Sequence, residues 1–184
     1  MGNDEQNYKK LFTYWYALII YDLTVEFCNH WIKSWKLKEQ MTGAARSGKQ
    51  NIVEGSDSMR TSLKTAIKLT NVAKSSLEEL LADYEDFLRQ QGFKQWLQMD
   101  PQIILFRKKA GDIVRNLSNL RKFCQRPILP QDPERAGNLL LTLCHQATYL
   151  LNRQVEALEN KHMKEGGYSE QLYRRRISFR EENF

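Results

Sequence analysis

Few residues of this chain have types and spacings that could support nucleophilic, acid–base or metal chemistry. The three histidines, His30, His145 and His162, lie far apart, and none belongs to an HExxH or Glu-x-x-His pattern that would hold a metal ion. Cys144 directly precedes His145, so on a helix their side chains diverge by about 100°, the wrong geometry for a nucleophile and its base. The chain is therefore predicted to be no enzyme and to need no cofactor or metal.

Asn51 and Glu54 form a polar pair at the end of a segment of small residues, QMTGAARSGKQNIVEG at 40–55. Three residues apart on a helix, the two side chains would be neighbours. They could belong to an interhelical hydrogen-bond set or a helix cap, or Glu54 could be a ligand-binding or catalytic carboxylate. The structural interpretation is favoured because Glu54 has no second acid, histidine or metal partner at a useful spacing.

Basic residues are concentrated in residues 100–130. This stretch holds seven lysines and arginines against two acids, in a chain with a formal net charge of +6. Cations clustered along one helix are typical of a phosphate-binding surface, although basic side chains that only solvate an amphipathic helix give the same pattern. The candidate nucleic-acid-binding residues in this stretch are Arg107, Lys108, Lys109, Arg115, Arg121 and Lys122.

The C-terminal tail, YSEQLYRRRISFREENF at 168–184, is a second candidate. Arg174, Arg175 and Arg176 are interleaved with the rings of Tyr173 and Phe179. Guanidinium groups bind phosphate and aromatic rings stack on bases, so this composition suits a single nucleic-acid strand. A helix end that docks on its own or a neighbouring subunit is the alternative.

Long amphipathic helices would position these residues. The chain has four prolines, nine glycines and 27% charged residues, and its apolar residues recur at steps of three and four. We predict an all-α fold, an up-down antiparallel four-helix bundle with an additional C-terminal helix. The predicted parts are the four-helix bundle at 1–125, a proline-rich linker at 126–133, and a C-terminal helix with a basic tail at 134–184.

Local signals place the helix ends. The first helix follows an unbroken apolar seam from Leu11 to Trp35. Glycine is favoured just after a helix and proline in its first turn. We therefore expect Gly55 and Gly92 to end the second and third helices, and Pro101 to open the fourth.

The first helix carries more apolar surface than one intramolecular stripe requires. Such a flank requires a second contact, which either a partner subunit or an additional helix could provide, and aromatic residues are typical of interface cores. Binding to a membrane surface is disfavoured because Asp22 and Glu26 interrupt the apolar belt. The additional apolar residues are Phe12, Trp15, Ile19, Ile20, Phe27 and Trp31.

Gly43 and Gly48 lie inside the predicted second helix. Each glycine costs a helix about 1 kcal/mol relative to alanine. We expect both positions to be explained by the close approach of a neighbouring helix.

The cysteines and the N-terminal sequence indicate the cellular compartment of the protein. Cys28, Cys124 and Cys144 are odd in number and widely spaced, so they are predicted to be buried thiols in a reducing cytosol. No signal peptide is visible, and the apolar run at 11–21 is shorter than the about 20 residues that cross a bilayer. A cytoplasmic location without membrane contact is expected.

Two short patterns carry a resemblance to a known family. They are Ser47-x-x-x-Asn51-Ile52-x-Glu54-Gly55 and, further along the chain, Ala73-x-Ser75-Ser76-Leu77-x-Glu79-Leu80. Together they resemble the signature of the four-helix bundle proteins named after reading frames in intervening sequences of bacterial 23S ribosomal RNA genes. The likeness covers residues 8–124, with Gly48 in place of a larger apolar residue. The motif positions assigned a structural role are Ser47, Asn51, Ile52, Glu54, Gly55, Ser76 and Glu79.

The resemblance implies a bacterial origin and particular partners. The same family includes small basic accessory proteins of diversity-generating retroelements, which assemble as pentamers and engage a reverse transcriptase and nucleic acid. A homo-oligomer, specifically a pentamer, and RNA or a nucleic-acid enzyme as partner are what the likeness implies. The stretch from Ala136 to Arg176 also resembles the C-terminal suffix extension of some members, which fixes no activity.

These observations lead to two functional hypotheses. The first is a non-enzymatic, cytoplasmic and oligomeric helical-bundle binding protein that presents basic surface to RNA or to a nucleic-acid-associated partner. The second is an oligomeric protein-interaction scaffold whose positive charge, with a sequence pI near 9.2, serves solubility alone.

Overall fold

The computed structural model describes residues 7–183, with side chains described as far as Glu181. A single 3₁₀ turn, Asn7–Lys10, precedes the α-helices. These residues contain no β-strand, so the prediction of an all-α fold is confirmed. The helices are α1 (Phe12–Trp31), α2 (Trp35–Ser58), α3 (Leu63–Gln91), α4 (Pro101–Leu120), α5 (Pro133–Glu165) and α6 (Tyr168–Asn183).

Side-chain caps fix the start of four helices. Each capping side chain accepts a hydrogen bond from a backbone N–H in the first turn, which stabilises a helix by about 1 kcal/mol. At the other end of α3, Gly92 adopts the left-handed conformation with φ of 71°, and Pro101 opens α4 after Asp100. Both predicted boundaries are confirmed. The caps are Ser34 for α2, Ser62 for α3, Asp100 for α4 and Asp132 for α5.

Two other predicted boundaries are wrong. The apolar seam from Leu11 to Trp35 is not one helix, because the chain is extended at Ile32 and Ser34 and the Ser34 side chain caps a new helix that begins at Trp35. Gly55 does not end α2, which continues to Ser58. It lies inside the helix, where a Cβ would come within 3.4 Å of the Cβ of Leu69 on α3.

The main core contains buried residues of α1, α2, α3, α4 and α5. Helix α2 packs on α1 and α3, and α5 packs on the same two helices from the other side. Leu88 near the end of α3 meets Gly137 near the start of α5. Lys74, earlier in α3, donates a 2.9 Å hydrogen bond to Asn152, later in α5. Helices α3 and α5 therefore run in opposite directions where they are in contact.

Helix α5 is deeply buried near its start. Every residue in 136–144 is buried, as expected of a helical segment surrounded by other elements on all sides. Helix α4 packs against α1 and α5 and contributes Ala110, Val114 and Leu117 to the same core. The predicted additional C-terminal helix therefore shares one core with the four helices that precede it.

The apolar flank of α1 is covered by the chain itself. Trp15, Ile19, Ile20 and Phe27 are at most 1% exposed, since α1 packs against α2, α4 and α5. Only Phe12 among the predicted additional residues is strongly exposed, at 46%. Of the two predicted alternatives, a partner subunit or an additional helix, the additional helix α5 covers this flank together with α2 and α4.

The cysteines occupy two environments. Cys28 and Cys144 are buried in the core, as predicted, whereas Cys124 is exposed. Cys124 lies in the connection between α4 and α5 (residues 121–132), which contains no helix. The prediction of three buried thiols is wrong at this position.

Candidate nucleic-acid interface

The motif residues Ser47, Asn51 and Ser76 form a hydrogen-bonded set between α2 and α3. The Asn51 side-chain amide donates to the backbone oxygen of Ser47 at 2.9 Å and to its hydroxyl at 3.2 Å. The Ser76 hydroxyl donates to the Ser47 hydroxyl at 3.1 Å. Ile52, which follows Asn51 in α2, is buried. These positions hold two helices together.

The two glutamates of the motif do not join this set. Glu54 and Glu79 are exposed, and Glu54 lines none of the three cavities described below.

Gly48 and Gly43 differ in their surroundings. A Cβ on Gly48 would lie 2.8 Å from the Cδ2 atom of Leu77, whereas a Cβ on Gly43 would meet no atom within 4 Å. Close helix approach explains Gly48, as predicted. The same explanation is wrong for Gly43, which faces outward.

The basic residues of α4 divide into two groups. Arg107 is half-buried and donates a hydrogen bond to the backbone oxygen of Gln98, and Arg115 pairs with Asp112 at 3.1 Å. Lys108 and Lys109 are exposed. Arg107 is thus engaged in fixing the segment before α4, and the two lysines remain directed to solvent.

Arg121 and Lys122 lie at the end of the fold where α1 begins. Helix α4 ends beside the start of α1, where the Ser118 hydroxyl donates to the backbone oxygen of Lys10 at 3.2 Å. Arg121 terminates α4 in the left-handed conformation with φ of 51°, and both it and Lys122 are exposed.

Helix α6 starts from the same end. The second half of α5 runs past the beginning of α1, where the Thr13 hydroxyl donates to the Gln154 side chain at 2.9 Å, and α6 follows after Gly166. The exposed cations that follow α4 and those of α6 therefore leave the bundle in the same region.

Helix α6 presents its arginines to solvent. Arg174, Arg175 and Arg176 are exposed, and none of them is paired with a carboxylate in the described part of the chain. Tyr173, Arg176 and Arg180 are spaced by three and four residues, so they share one face. Tyr173 is 67% exposed. One ring and two guanidinium groups thus share a helix face.

Carboxylates are concentrated on a different side of the molecule. Glu78, Glu79 and Asp86 are exposed on α3, which packs on α2 and α5. Burial raises the pKa of the nearby Asp83 carboxyl, and the charges of Glu79 and Asp86 raise it further. Exposed acids are therefore concentrated in the second half of α3, whereas exposed lysines lie in its first half and in α4.

Three cavities border these elements. The one between α4 and the α4–α5 connection has a volume of about 900 Å³ and includes Lys109. A second, of about 690 Å³, lies between residues 95–98, α4 and α5 and includes Trp96 and Arg107. A third, of about 280 Å³, lies at the turn between α1 and α2.

Two arginines beside α4 were not among the predicted site residues. Arg126, which pairs with Glu26 of α1 at 2.7 Å, and Arg135 both line the cavity beside α4. Leu129 is 5% exposed and anchors the connection in the core. The connection is not helical, so its sequence has no helical periodicity from which this packing could be predicted. Its proline-rich composition predicts only a linker.

No family model matches the chain, and neither a curated protein nor a solved structure matches it. Within residues 7–183 no helix combines the length and the apolar character that crossing a membrane requires. The same residues contain no group of three or more histidine, cysteine or acidic side chains placed to hold a metal ion.

Proposed function

We propose that this chain is a non-enzymatic RNA-binding protein that uses the cations at one end of a helical bundle. The observation that carries the proposal is the exposure of Arg174, Arg175 and Arg176, three consecutive arginines of α6. Lys122 is exposed toward the same end of the bundle. Clustered cations lower the free energy of a bound phosphate backbone, since binding releases its condensed counterions.

The aromatic residues of α6 favour a single strand over a duplex. Tyr173 and Phe179 are 67% and 65% exposed, and exposed rings give unpaired bases a surface for stacking. Bases in a duplex are already stacked on one another. The preferred partner is therefore an unpaired stretch of RNA in the cytoplasm.

We also propose that α1, α2, α3 and α5 form an up-down antiparallel four-helix bundle. The reversed order of the contacts between α2 and α3 and between α3 and α5 supports this arrangement. We likewise propose that the chain is related to the 23S ribosomal RNA intervening-sequence proteins. Its support is the hydrogen-bonded set of Ser47, Asn51 and Ser76, which gives the motif a clear role in helix packing.

Self-association, as a pentamer or otherwise, rests on the resemblance alone. The apolar flank of α1 does not argue for it, because α2, α4 and α5 cover that flank. Light scattering at several protein concentrations measures the mass directly. A mass several times 21.7 kDa supports an oligomer, and a constant monomeric mass rejects both the pentamer and the oligomeric scaffold.

A salt titration tests RNA binding. The fluorescence anisotropy of a labelled single-stranded RNA is followed at KCl concentrations from about 50 to 300 mM. If roughly five phosphates are contacted, the logarithm of the association constant falls with the logarithm of salt with a slope of about −3.5. Absence of binding at the lowest salt, or binding that does not respond to salt, rejects the proposal.

A further inference from the structure

The cavity between α4 and the α4–α5 connection combines an apolar lining with a cationic rim. Its volume of about 900 Å³ falls within the range of about 300–1,000 Å³ that small ligands occupy. Phe106, Ile113 and Leu139 supply apolar surface from α4 and α5, and Pro127 and Pro130 supply it from the connection. The prolines hold this wall in a restricted backbone conformation.

Most of the charged groups around the cavity already have partners. Asp112 pairs with Arg115 at 3.1 Å, the Asp132 carboxylate accepts from the backbone N–H of Arg135 at 2.8 Å, and Arg126 pairs with Glu26. Lys109 and Arg135 form no ion pair in the described part of the chain. The lining holds three cations, Lys109, Arg126 and Arg135, against the two carboxylates of Asp112 and Asp132, so its net positive charge suits an anionic ligand.

Three carboxamides complete the lining. Asn116 comes from α4, and Gln125 and Gln131 come from the connection. A carboxamide offers a donor pair and an acceptor side by side, as does the edge of an unpaired base. The ligand that matches all these features has a flat ring with polar edges and a phosphate.

We propose that this cavity receives one unpaired base of a single-stranded RNA, with its phosphate at Lys109 and Arg135. The inference rests on the proposed RNA-binding function and extends it from a charged surface to a specific subsite. Phe106 and the neighbouring apolar groups contact the ring, and the carboxamides contact its edge. A base in a duplex cannot enter, so the cavity discriminates against double-stranded RNA.

Adjacent lysines provide a matched test of the phosphate contact. Lys109 lines the cavity and Lys108, also exposed on α4, does not. The affinity for a single-stranded RNA of about 12 nucleotides is expected to fall about tenfold in Lys109→Gln and about twofold in Lys108→Gln. Equal losses in the two variants would overturn the subsite while leaving the general RNA-binding proposal intact.

Filling the cavity tests the base contact. Asn116→Trp places an indole in the cavity, and Asn119→Trp places one at an exposed position of α4 that does not line it. Only Asn116→Trp is expected to remove the preference for single-stranded over duplex RNA. Circular dichroism checks that both variants remain folded, and identical preferences in two folded variants contradict the inference.

The exposed Cys124 reports occupancy without any substitution. It precedes Gln125, which lines the cavity, so bound RNA is expected to slow alkylation of the thiol by iodoacetamide about fivefold or more. Protection by uridine monophosphate alone, with no further effect of RNA, reassigns the cavity to free nucleotides. Unchanged alkylation at saturating RNA overturns the inference, whereas absence of RNA binding by anisotropy rejects the proposed function itself.

Discussion

Gly48 marks the point of closest approach between α2 and α3. A methyl group there would overlap Leu77, which is fully buried, so Gly48→Ala costs about 1–3 kcal/mol of overpacking, offset by about 1 kcal/mol of helix propensity. Gly43→Ala is the control, because it gains the propensity without a clash. We expect the free energies of unfolding in urea to differ by about 2 kcal/mol between the variants. Equal stabilities would mean that Leu77 moves aside freely.

The three thiols should differ in reactivity. Burial raises the pKa of Cys28 to about 12 and that of Cys144 further still, so neither forms a thiolate near neutral pH. We expect Ellman's reagent to modify one thiol of the native protein at pH 8, and three after denaturation. Rapid modification of two or three native thiols would contradict the buried positions of Cys28 and Cys144.

The same shifts predict how stability depends on pH. The buried thiols keep their protons in the folded state, whereas in the unfolded chain they ionise above a pH of about 8.5. The unfolded state therefore binds fewer protons in this range, and the free energy of unfolding falls as pH rises from about 8.5 toward 12. Alanine at Cys124 should leave this decline unchanged, and its loss in that variant would contradict the assignment.

Single residues were predictable where local chemistry decides their role. Gly92 and Pro101 follow from backbone conformation alone, and the spacing of Ser47 and Asn51 follows from the helical period. Gly43 and Cys124 could not be placed in this way, because their surroundings depend on which helices pack beside them. The residues from Gln125 to Gln131 that line the proposed subsite could not be predicted for the same reason.

At the scale of elements, α5 decides whether the fold is stable. Its residues 136–144 are buried among the other helices, whereas α6 has no buried residue. We expect a chain that ends at Gly166 to unfold cooperatively and near the midpoint of the full chain, since it loses no core surface. A chain that ends at Asp132 is expected to lose cooperative unfolding by circular dichroism. Cooperative unfolding of this shorter chain would show that the first four helices suffice.

Periodicity explains why the helices were predicted and their neighbours were not. The steps of three and four along α1 identify an amphipathic helix, yet Trp15, Ile19 and Phe27 on its other faces are as buried as the core. An apolar stripe indicates that a helix face is buried, but it does not indicate which element buries it. Long-range packing places α5 against α1, whereas the sequence left open whether another subunit or an additional helix would cover that flank.

At the scale of the whole molecule, charge placement matters more than net charge. Exposed acids lie on the second half of α3, and exposed cations lie on α4, on the α4–α5 connection and on α6. The formal net charge of +6 would attract RNA weakly from any side, but an uneven field orients the approaching strand. The proposed function therefore depends on where the arginines lie.

The most direct measurement compares two triple variants that each lower the formal net charge by three, from +6 to +3. One replaces Arg174, Arg175 and Arg176 by glutamine, and the other replaces the exposed Lys33, Lys36 and Arg46. We expect the α6 variant to bind single-stranded RNA about tenfold or more weakly, with its salt slope reduced by about 2, and the control variant to remain within about threefold of the original affinity. Equal losses in both variants would contradict the account, because net charge and not the α6 surface would then hold the RNA.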